Sequence, residues 1–272
     1  MRFQLSELDP ESDALSEFVT CQVTSFGEPF QPIYRFFYPI FGGEPEAQKQ
    51  EALTNLVQLH REWAREDPDS VFLQIRDRDR DNRLVAGVYF KVHRQNPYAR
   101  GGNGDRSGDS EEEHDPSAAL WYPEGARREY ITRCIEIFSE PHMKLMQKPH
   151  VYIFVGFVLP EYRQLGLADM LLVEVCRRAD ELGLESWLEA VIAMGVTIYR
   201  RHGFIPYSGG LLVQPAATEV EAQDADWQDI EARMQPLRYW PMWRPPHGKI
   251  ELGKTSPPWG ELSTNRRFLG RL

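Results

Sequence analysis

The sequence predicts an α/β (α+β) domain in which helices cover a central β-sheet. Residues 151–158 form an almost unbroken apolar run, which is typical of a strand buried on both faces. Residues 168–182 then place apolar side chains along one stripe of a helix, and residues 184–191 form a second apolar strand. A β-α-β crossover of this kind indicates that the two strands lie parallel or nearly so.

The composition limits the class of protein. The chain has 272 residues, enough for a sizeable core and near the upper end for one domain. Its net charge of −10 argues against nucleic acid or an anionic membrane as the main partner and weakly favours a cationic amine. The three cysteines form no C-x-x-C pair, so we expect structural thiols in a reducing compartment. The first residues contain no apolar leader, and the sequence therefore predicts a cytoplasmic protein without a membrane anchor.

The N-terminal part predicts a strand, a helix and an irregular aromatic segment. Residues 2–8 alternate as in an edge strand, and residues 10–25 carry an apolar helical stripe. Residues 26–43 are rich in Phe, Tyr, Pro and Gly and have no regular period. Aromatic side chains in such a segment either plug a core or line a pocket, and both interpretations stay open here.

The next stretch predicts a helix and a β-hairpin. Pro45 suits the first turn of a helix whose apolar stripe includes His60, and we interpret His60 as a core histidine. Residues 71–75 and 84–93 form the predicted hairpin. The alternating charges between them indicate a solvated turn that needs no partner.

We expect one domain over residues 1–272, with an insertion and an extension. Residues 95–124 are predicted to be a disordered insertion because they contain few aliphatic side chains and many Gly, Asp and Glu residues. Four elements follow outside the β-α-β unit: a helix over 127–146 interrupted at Pro141, a strand over 205–214, an acidic helix over 219–235 and a strand over 237–244. Residues 245–272 are predicted to be an irregular extension.

The turn inside the β-α-β unit carries the strongest chemical signal. Residues 163–168 read Arg-Gln-Leu-Gly-Leu-Ala and place small residues at Gly166 and Ala168. The N-terminus of a helix offers unpaired N–H groups and the positive end of the helix dipole, which together bind phosphate or diphosphate. Gly156, in the preceding strand, indicates a bulge or a ligand close to the main chain. The alternative interpretation is a turn that only needs close packing.

Other common nucleotide, hydrolase and metal motifs are missing from the sequence. It contains no G-x-G-x-x-G, no Walker loop and no G-x-S-x-G. Its seven histidines are scattered, with no H-E-x-x-H and no Cys/His cluster at ligand spacing. We therefore predict no metal site.

Two further landmarks follow the turn and complete a family resemblance. They are Leu188-Glu189-Ala190 on the second strand and Tyr199-Arg200-Arg201-His202-Gly203-Phe204 at the end of the next helix. With the R-x-x-G-x-A turn they resemble the GNAT N-acetyltransferase superfamily. They are most similar to its fungal-type branch of small-molecule and peptide acetyltransferases. The chain departs from that branch by one extra residue after Ala190 and by Val191 where a hydroxyl side chain is usual.

The resemblance implies a fold, a cosubstrate and a reaction. The GNAT fold has a central, mixed but mostly antiparallel sheet of about seven strands, with a splayed parallel pair and helices on both faces. The implied reaction is acetyl transfer from acetyl-CoA to a primary amine of a small molecule or peptide, by direct attack in a ternary complex. The alternative is a non-catalytic acyl-CoA-binding or interaction protein that retains the fold. We expect a monomer or a homodimer.

The resemblance also implies binding residues. Coenzyme contacts are implied for the end of the first strand and for the whole turn, namely Phe157, Val158, Leu159, Arg163, Gln164, Leu165, Gly166, Leu167 and Ala168. Contacts with the acceptor amine are implied for the aromatic segment and the central strand, namely Phe30, Tyr34, Phe36 and Tyr89, with Phe37 as a further candidate.

Two residues are candidates for proton transfer. Tyr199 would give a proton to the departing thiolate, and its alternative is a core tyrosine beside Phe204. The family often places the base for the amine on the strand before the turn, but residues 151–158 contain no carboxylate. Glu189 is therefore our candidate base, although a structural role for it is an equal alternative. His93 or Tyr89 acting through water, and attack by an already neutral amine, also stay open. The missing carboxylate favours the non-catalytic alternative, whereas Tyr199 and the aromatic segment favour the enzyme.

Overall fold

The computed structural model describes residues 2–99, 119–234, 236–251 and 254–260. The helices are Ala14–Gly27 (α1), Glu46–Glu66 (α2), Ala126–Leu145 (α3), Leu167–Glu181 (α4), Ala193–Arg201 (α5) and Ala225–Met234 (α6). The strands are Phe3–Leu8 (β1), Ser70–Asp77 (β2), Arg83–His93 (β3), His150–Val158 (β4), Glu185–Ala190 (β5), Ile205–Pro206 (β6), Leu211–Val213 (β7) and Leu237–Arg244 (β8).

The strands form one sheet in the order β1-β2-β3-β4-β5-β8-β6, and β7 pairs separately with β8. Every pairing within the described chain is antiparallel except that of β4 with β5. This confirms the predicted mixed sheet with one parallel pair. Because α4 joins β4 to β5, the crossover lies where the β-α-β pattern predicted it.

The parallel strands β4 and β5 separate soon after they meet. Pairing joins His150–Ile153 to Glu185–Leu188 and goes no further. A β-bulge at Phe154 shifts the register of β4, because Ile153 pairs with Phe90 while Val155 pairs with Tyr89. From residue 154 onward β4 is therefore paired with β3 alone, and its other edge borders an open gap on the β5 side.

Helices pack on both faces of the sheet. The rings of Phe18 in α1 and Phe157 in β4 lie 4.8 Å apart, so α1 covers the face that carries Phe157. Gly87 pairs with Phe157 and shares that face, whereas Phe90 points to the other one because side chains alternate along a strand. Phe90 lies beside Arg178 of α4. The open gap thus lies in a sheet that has helices packed on both faces.

We expect Gly87→Ala to destabilise the fold by about 1–3 kcal/mol, since the core around this strand has no room for a methyl group. A Cβ at residue 87 would lie 2.3 Å from Cε2 of Phe18 and 2.7 Å from Cζ of Phe157. Urea unfolding followed by circular dichroism measures the change. Gly156→Ala is the matched control, because the nearest atom to its Cβ would be 3.9 Å away. Equal losses in the two variants would contradict the packing argument.

Three predicted elements differ from the structure. Helix α3 runs through Pro141 without interruption, because the carbonyl of Ile137 that loses its helical partner accepts a hydrogen bond from Tyr239 at 3.2 Å. The strand predicted over 205–214 is two short strands, β6 and β7. Strand β4 is not buried on both faces, since Gly156 is exposed and Phe154 is half-buried. The gap beside β5 explains that exposure.

The predicted insertion is only partly covered by the structure, because residues 100–118 lie outside the described residues. Its flanks are folded. Tyr122 is 2% exposed and donates a hydrogen bond to the carbonyl of Arg35. Tyr98 is half-buried and lies 3.0 Å from a ring nitrogen of His142. The described part of the C-terminal extension contains one short turn of helix at Pro246–Gly248.

Buried polar residues confirm two smaller predictions. His60 is 1% exposed, and its ring nitrogens contact the carbonyl of Leu56 at 3.0 Å and the side-chain oxygen of Gln22 at 3.1 Å. It is a core histidine. The three cysteines are buried and unpaired. Among the described residues, no helix combines the length and apolar character that crossing a membrane requires.

Candidate functional site

The turn over residues 163–168 presents main-chain N–H groups to the surface. Gln164 and Gly166 have φ angles of 64° and 78°, so the chain bends sharply just before α4 begins at Leu167. In the described part of the chain, no acceptor pairs with the N–H groups over 164–168. These free donors sit at the positive end of the α4 dipole, so the geometry and charge of the turn suit an anion.

The side chain of Arg163 holds the turn in place. One of its nitrogens, Nη2, donates to the carbonyl of Ser25 at 2.8 Å, and Nε lies 3.4 Å from the carbonyl of Val158. The guanidinium therefore joins the turn to the end of α1 and to β4. Any contact of this turn with an anion comes mainly from its backbone.

The acidic residue nearest to the helix start is already paired. Asp169 accepts hydrogen bonds from Arg201 at 3.1 Å and from His202 at 2.8 Å. The hydrogen bond from His202, with that from Arg201, lowers the pKa of the Asp169 carboxyl. Its negative charge is thus compensated by α5, and the free N–H groups can still attract an anion.

At the end of β4, main-chain groups rather than side chains are available to a ligand. The side chains of Phe157 and Leu159 are 5% and 1% exposed and belong to the core. The N–H of Leu159 donates to Val85 of β3 at 2.9 Å. Because successive N–H groups of a strand point to opposite sides, the N–H of Val158 points into the gap between β4 and β5. An extended ligand in the gap can pair with this edge as an added strand would.

Glu189 lies at the β5 side of the gap and is enclosed by rings. Trp187 donates its indole N–H to a carboxylate oxygen of Glu189, and the Tyr152 hydroxyl also hydrogen-bonds to that carboxylate. Burial raises the pKa of Glu189 to about 7, and these hydrogen bonds only partly oppose the rise. The carboxyl can therefore take up and release a proton near neutral pH.

Half-buried aromatic rings line the surface next to Glu189. We call them the aromatic cluster: Phe37, Trp63, Trp121, Tyr152 and Phe154. Neighbouring ring centroids in the cluster lie between 5.1 and 5.8 Å apart for Trp63–Phe154, Phe37–Phe154, Phe37–Trp121 and Tyr152–Phe154. Their exposed faces can hold an apolar body or, through cation–π contact, a cationic group.

The predicted acceptor residues lie in different places. Tyr89 is fully buried, stacks on Phe72 with centroids 4.3 Å apart and contacts the Ser70 hydroxyl at 3.2 Å. Phe36 is 1% exposed in a second core, and Tyr34 is 5% exposed. Phe30 is 47% exposed and covered by the guanidinium of Arg35 at 4.4 Å.

Of the aromatic segment's four predicted candidates, Phe37 alone belongs to the aromatic cluster. Its ring contacts Trp63 of α2 and Phe154 of β4, 5.5 and 5.6 Å away. The segment thus both plugs a core and lines the site, as the two open interpretations allowed.

Tyr199 lies on α5. Its ring meets Phe204 at 6.0 Å, and no described contact joins it to Glu189. Burial raises the pKa of Tyr199 to about 12, so the hydroxyl stays protonated at any physiological pH. A Cβ on Gly195 would lie 3.3 Å from the ring, so the glycine leaves room for it. Tyr199 can act as a hydrogen-bond or proton donor but not as a base.

The two alternative bases are poorly suited to proton uptake. Burial raises the pKa of the Tyr89 hydroxyl above that of an ordinary phenol, so Tyr89 stays protonated at neutral pH and cannot take up a proton. Burial lowers the pKa of His93 to about 4, which leaves a weak base. Glu189 is the carboxyl next to the gap whose pKa suits the task.

Sequence analysis missed the partners of Glu189. Tyr152 lies on a strand that was predicted to be buried on both faces, so its side chain carried no signal. Tyr98 fell inside the predicted insertion. The alternation of residues 185, 187 and 189 along β5 was the one available signal, because it places Trp187 and Glu189 on the same face.

Comparison with known proteins supports a shared fold. The profile of the "Acetyltransferase (GNAT) family" matches residues 30–204. No curated protein matches the chain in sequence. A histone acetyltransferase HPA2 and related acetyltransferase of Corynebacterium glutamicum is similar with a TM-score of 0.50 and 15% identity, over 92% of this chain and 99% of that one.

Two further solved structures are similar. The polyamine N-acetyltransferase of Drosophila melanogaster has a TM-score of 0.52 and 13% identity, over 89% of this chain and 99% of its own. The C-terminal condensation domain of Ebony, bound to β-alanyl-dopamine, has a TM-score of 0.54 and 11% identity, over 90% of this chain and 99% of its own. Identities this low show the common fold alone.

Proposed function

Because the chain belongs to the acetyltransferase (GNAT) family, we propose that it is an acetyl-CoA-dependent N-acetyltransferase that acts on a primary amine of a small molecule or peptide. One observation carries the proposal: a carboxyl with a pKa of about 7, that of Glu189, lies beside the gap between β4 and β5. The anion-binding turn lies at the end of β4, on the same gap. A placement in the fungal-type branch stays a prediction.

The turn and the edge of β4 suit an acyl coenzyme A. When bound, acetyl-CoA supplies the acetyl group as a thioester with a thiol leaving group. In our proposal the N–H groups over 164–168 hold its diphosphate, and the backbone of Phe157, Val158 and Leu159 pairs with its extended arm. Leu165 and Ala168 then act through their main chain, and Arg163 positions the turn.

Glu189 is the proposed general base. An alkylammonium has a pKa of about 10, so a bound amine must lose a proton before its nitrogen can attack. At neutral pH a carboxyl with a pKa of about 7 is substantially ionised and is a stronger base than an ordinary carboxylate. Hydrogen bonds from Trp187 and Tyr152 hold its carboxylate in place.

The remaining steps use two donors, the main-chain N–H of Val158 in β4 and the hydroxyl of Tyr199 in α5. The N–H of Val158 would donate to the acetyl oxygen, which gains negative charge as the amine nitrogen bonds to the carbonyl carbon. Tyr199 would donate its proton to the sulfur as the carbon–sulfur bond breaks. The alkylammonium nitrogen loses two protons: Glu189 takes the first before the attack, and the second passes through solvent to the Tyr199 phenolate as the amide forms. The acetyl group ends on nitrogen, the thiol on coenzyme A, and Glu189 releases its proton to solvent.

Charge and fold relatives support a cationic amine as acceptor. The net charge of −10 and the aromatic faces near Glu189 both favour an ammonium group. The Drosophila structure of the same fold belongs to an enzyme that forms N-acetylagmatine, and the Ebony domain binds β-alanyl-dopamine. A cytoplasmic location and a monomeric or homodimeric state stay predictions.

Two measurements test the proposal. Calorimetric titration with coenzyme A and with acetyl-CoA should show one saturable site. Thiol release in the presence of polyamines, agmatine, arylalkylamines, aminoglycosides, amino acids and short peptides should then exceed the rate without amine. Mass spectrometry should show one added acetyl group on the amine. Binding without turnover would support the non-catalytic alternative, and absence of binding would overturn both.

A further inference from the structure

A chain of hydrogen bonds runs from Tyr98 into the protein next to Glu189. The Tyr98 hydroxyl lies 3.0 Å from Nδ1 of His142, and Nε2 of His142 lies 2.8 Å from Nε2 of His150. Nδ1 of His150 lies 2.7 Å from the carbonyl oxygen of Lys148. Both histidines are buried, at 3% and 0% exposure.

The last acceptor fixes the direction of the whole chain. A carbonyl oxygen can only accept, so Nδ1–H of His150 donates to Lys148. Burial lowers the pKa of His150 to about 4, and the ring is neutral with Nε2 as an acceptor. His142 therefore donates through Nε2–H and, being neutral as well, accepts at Nδ1. The Tyr98 hydroxyl must donate its proton to His142.

Because the Tyr98 hydroxyl already donates its proton to His142, its oxygen can only accept a hydrogen bond from any further partner. Rings link the phenol to Glu189: the Tyr98 ring lies 5.5 Å from that of His142, which lies 4.0 Å from that of Tyr152, a hydrogen-bond partner of Glu189. Tyr98 is half-buried as a residue, and its hydroxyl meets the ring of His142. An acceptor of this kind beside a carboxylate suits a group with several N–H bonds.

His142 also packs against both donors of Glu189. Its ring centroid lies 4.0 Å from that of Tyr152 and 5.8 Å from that of Trp187, to which it is nearly parallel at 11°. One buried ring thus orients the Tyr98 hydroxyl and supports the two side chains that hold the Glu189 carboxylate. Support of Tyr152 and Trp187 requires only packing of the His142 ring. Orientation of the Tyr98 hydroxyl requires the acceptor nitrogen Nδ1 of His142.

We propose that the Tyr98 oxygen is the second acceptor for the substrate's amine, next to Glu189, and that His142 and His150 are positioning residues that orient it. The acceptor would be a primary alkylammonium with an apolar or aromatic body, since it offers three N–H bonds to these oxygens and its body meets the aromatic cluster. This assignment rests on the proposed N-acetyltransferase function. It adds a binding residue that the catalytic steps do not use.

Steady-state kinetics with agmatine, spermidine and 2-phenylethylamine test the assignment. Tyr98→Phe should raise KM for the best of these amines about 10-fold, as expected for a lost hydrogen bond to a charged group, and leave kcat within about 2-fold. The affinity for coenzyme A should stay unchanged. Tyr38→Phe is the matched control, because its hydroxyl donates to the carbonyl oxygen of Lys49 at 3.3 Å and has no described contact with Glu189, so KM should not move.

A double-mutant cycle separates positioning from packing. His142→Phe should raise KM as Tyr98→Phe does, and adding it to Tyr98→Phe should raise KM no further, because both remove one interaction. Additive effects on KM would reduce His142 to a packing residue. An unchanged KM in Tyr98→Phe would overturn the assignment while the wild-type turnover keeps the proposed function. If the wild-type protein binds coenzyme A but acetylates no amine, the proposed function fails and this assignment fails with it.

Discussion

Glu189→Gln is expected to lower kcat/KM for the amine by roughly 10²- to 10³-fold at pH 7.5, the range typical of a lost general base. Glutamine has nearly the same size and can still accept a hydrogen bond from Trp187, but it cannot take a proton. The affinity for coenzyme A should not change, because the N–H groups of the turn do not contact Glu189. Thiol release and calorimetry measure the two quantities separately.

The pH dependence gives the same prediction a second readout. In the wild-type protein kcat/KM should rise with pH through about 7, because the Glu189 carboxyl must lose its proton before it can act as a base. In Glu189→Gln this rise should disappear. Any remaining rate should increase only as the free amine itself loses its proton, at a pH near ~10. A variant that keeps the wild-type rise would place the base elsewhere.

Stability should move in the opposite direction to activity. The folded-state pKa of Glu189 lies above the ordinary glutamate value of 4.5, so folding favours the protonated carboxyl. That contribution is complete below about pH 4.5 and is lost as the pH rises through about 7. At pH 8 the variant should therefore be at least as stable as the wild-type protein in urea. A large loss of stability would mean that the fall in activity reflects unfolding.

Local patterns were sufficient to predict the frame of the site. The apolar run of β4, the amphipathic stripe of α4 and the turn between them are consecutive in sequence, and each carries its own period or small-residue signal. The free N–H groups over 164–168 follow from the start of α4 and needed no distant partner. Glu189 was found because it lies on the next strand of the same unit.

The surroundings of Glu189 could not be predicted in the same way. Tyr98, His142 and Tyr152 are far apart in sequence and meet only because the turn after β3, helix α3 and strand β4 come together in the fold. The pKa of Glu189 is set by burial among these rings, and no property of the segment Leu188-Glu189-Ala190 reveals it. The bulge at Phe154 likewise depends on pairing with β3.

The same reasoning explains the placement of the aromatic segment. Residues 26–43 have no period, so composition could not decide which rings face a ligand. Contacts with α2 and β4 select Phe37, whereas Phe36 turns to Phe138 of α3 at 5.8 Å. Phe36 and Phe37 are thus adjacent in sequence, yet Phe36 belongs to the second core and Phe37 to the aromatic cluster.

Ala168→Glu is expected to weaken coenzyme A binding at least ~10-fold without unfolding the protein. The residue is half-exposed in the first turn of α4, next to the free N–H groups. A carboxylate here would repel a bound diphosphate and compete for its donors; two charges ~5 Å apart at an effective dielectric constant of ~20 repel by ~3 kcal/mol before salt screening. The helix itself should gain about 0.3–1 kcal/mol from an acidic first turn.

Val173→Glu separates the position of the new charge from its sign. Val173 lies on the same helix and is 59% exposed, so the variant has the same net charge but leaves the helix start unchanged. Calorimetry should then show wild-type affinity for coenzyme A in Val173→Glu and reduced affinity in Ala168→Glu. Equal affinity in both variants would remove the diphosphate from residues 163–168, since no bound anion could tolerate a carboxylate among its own donors.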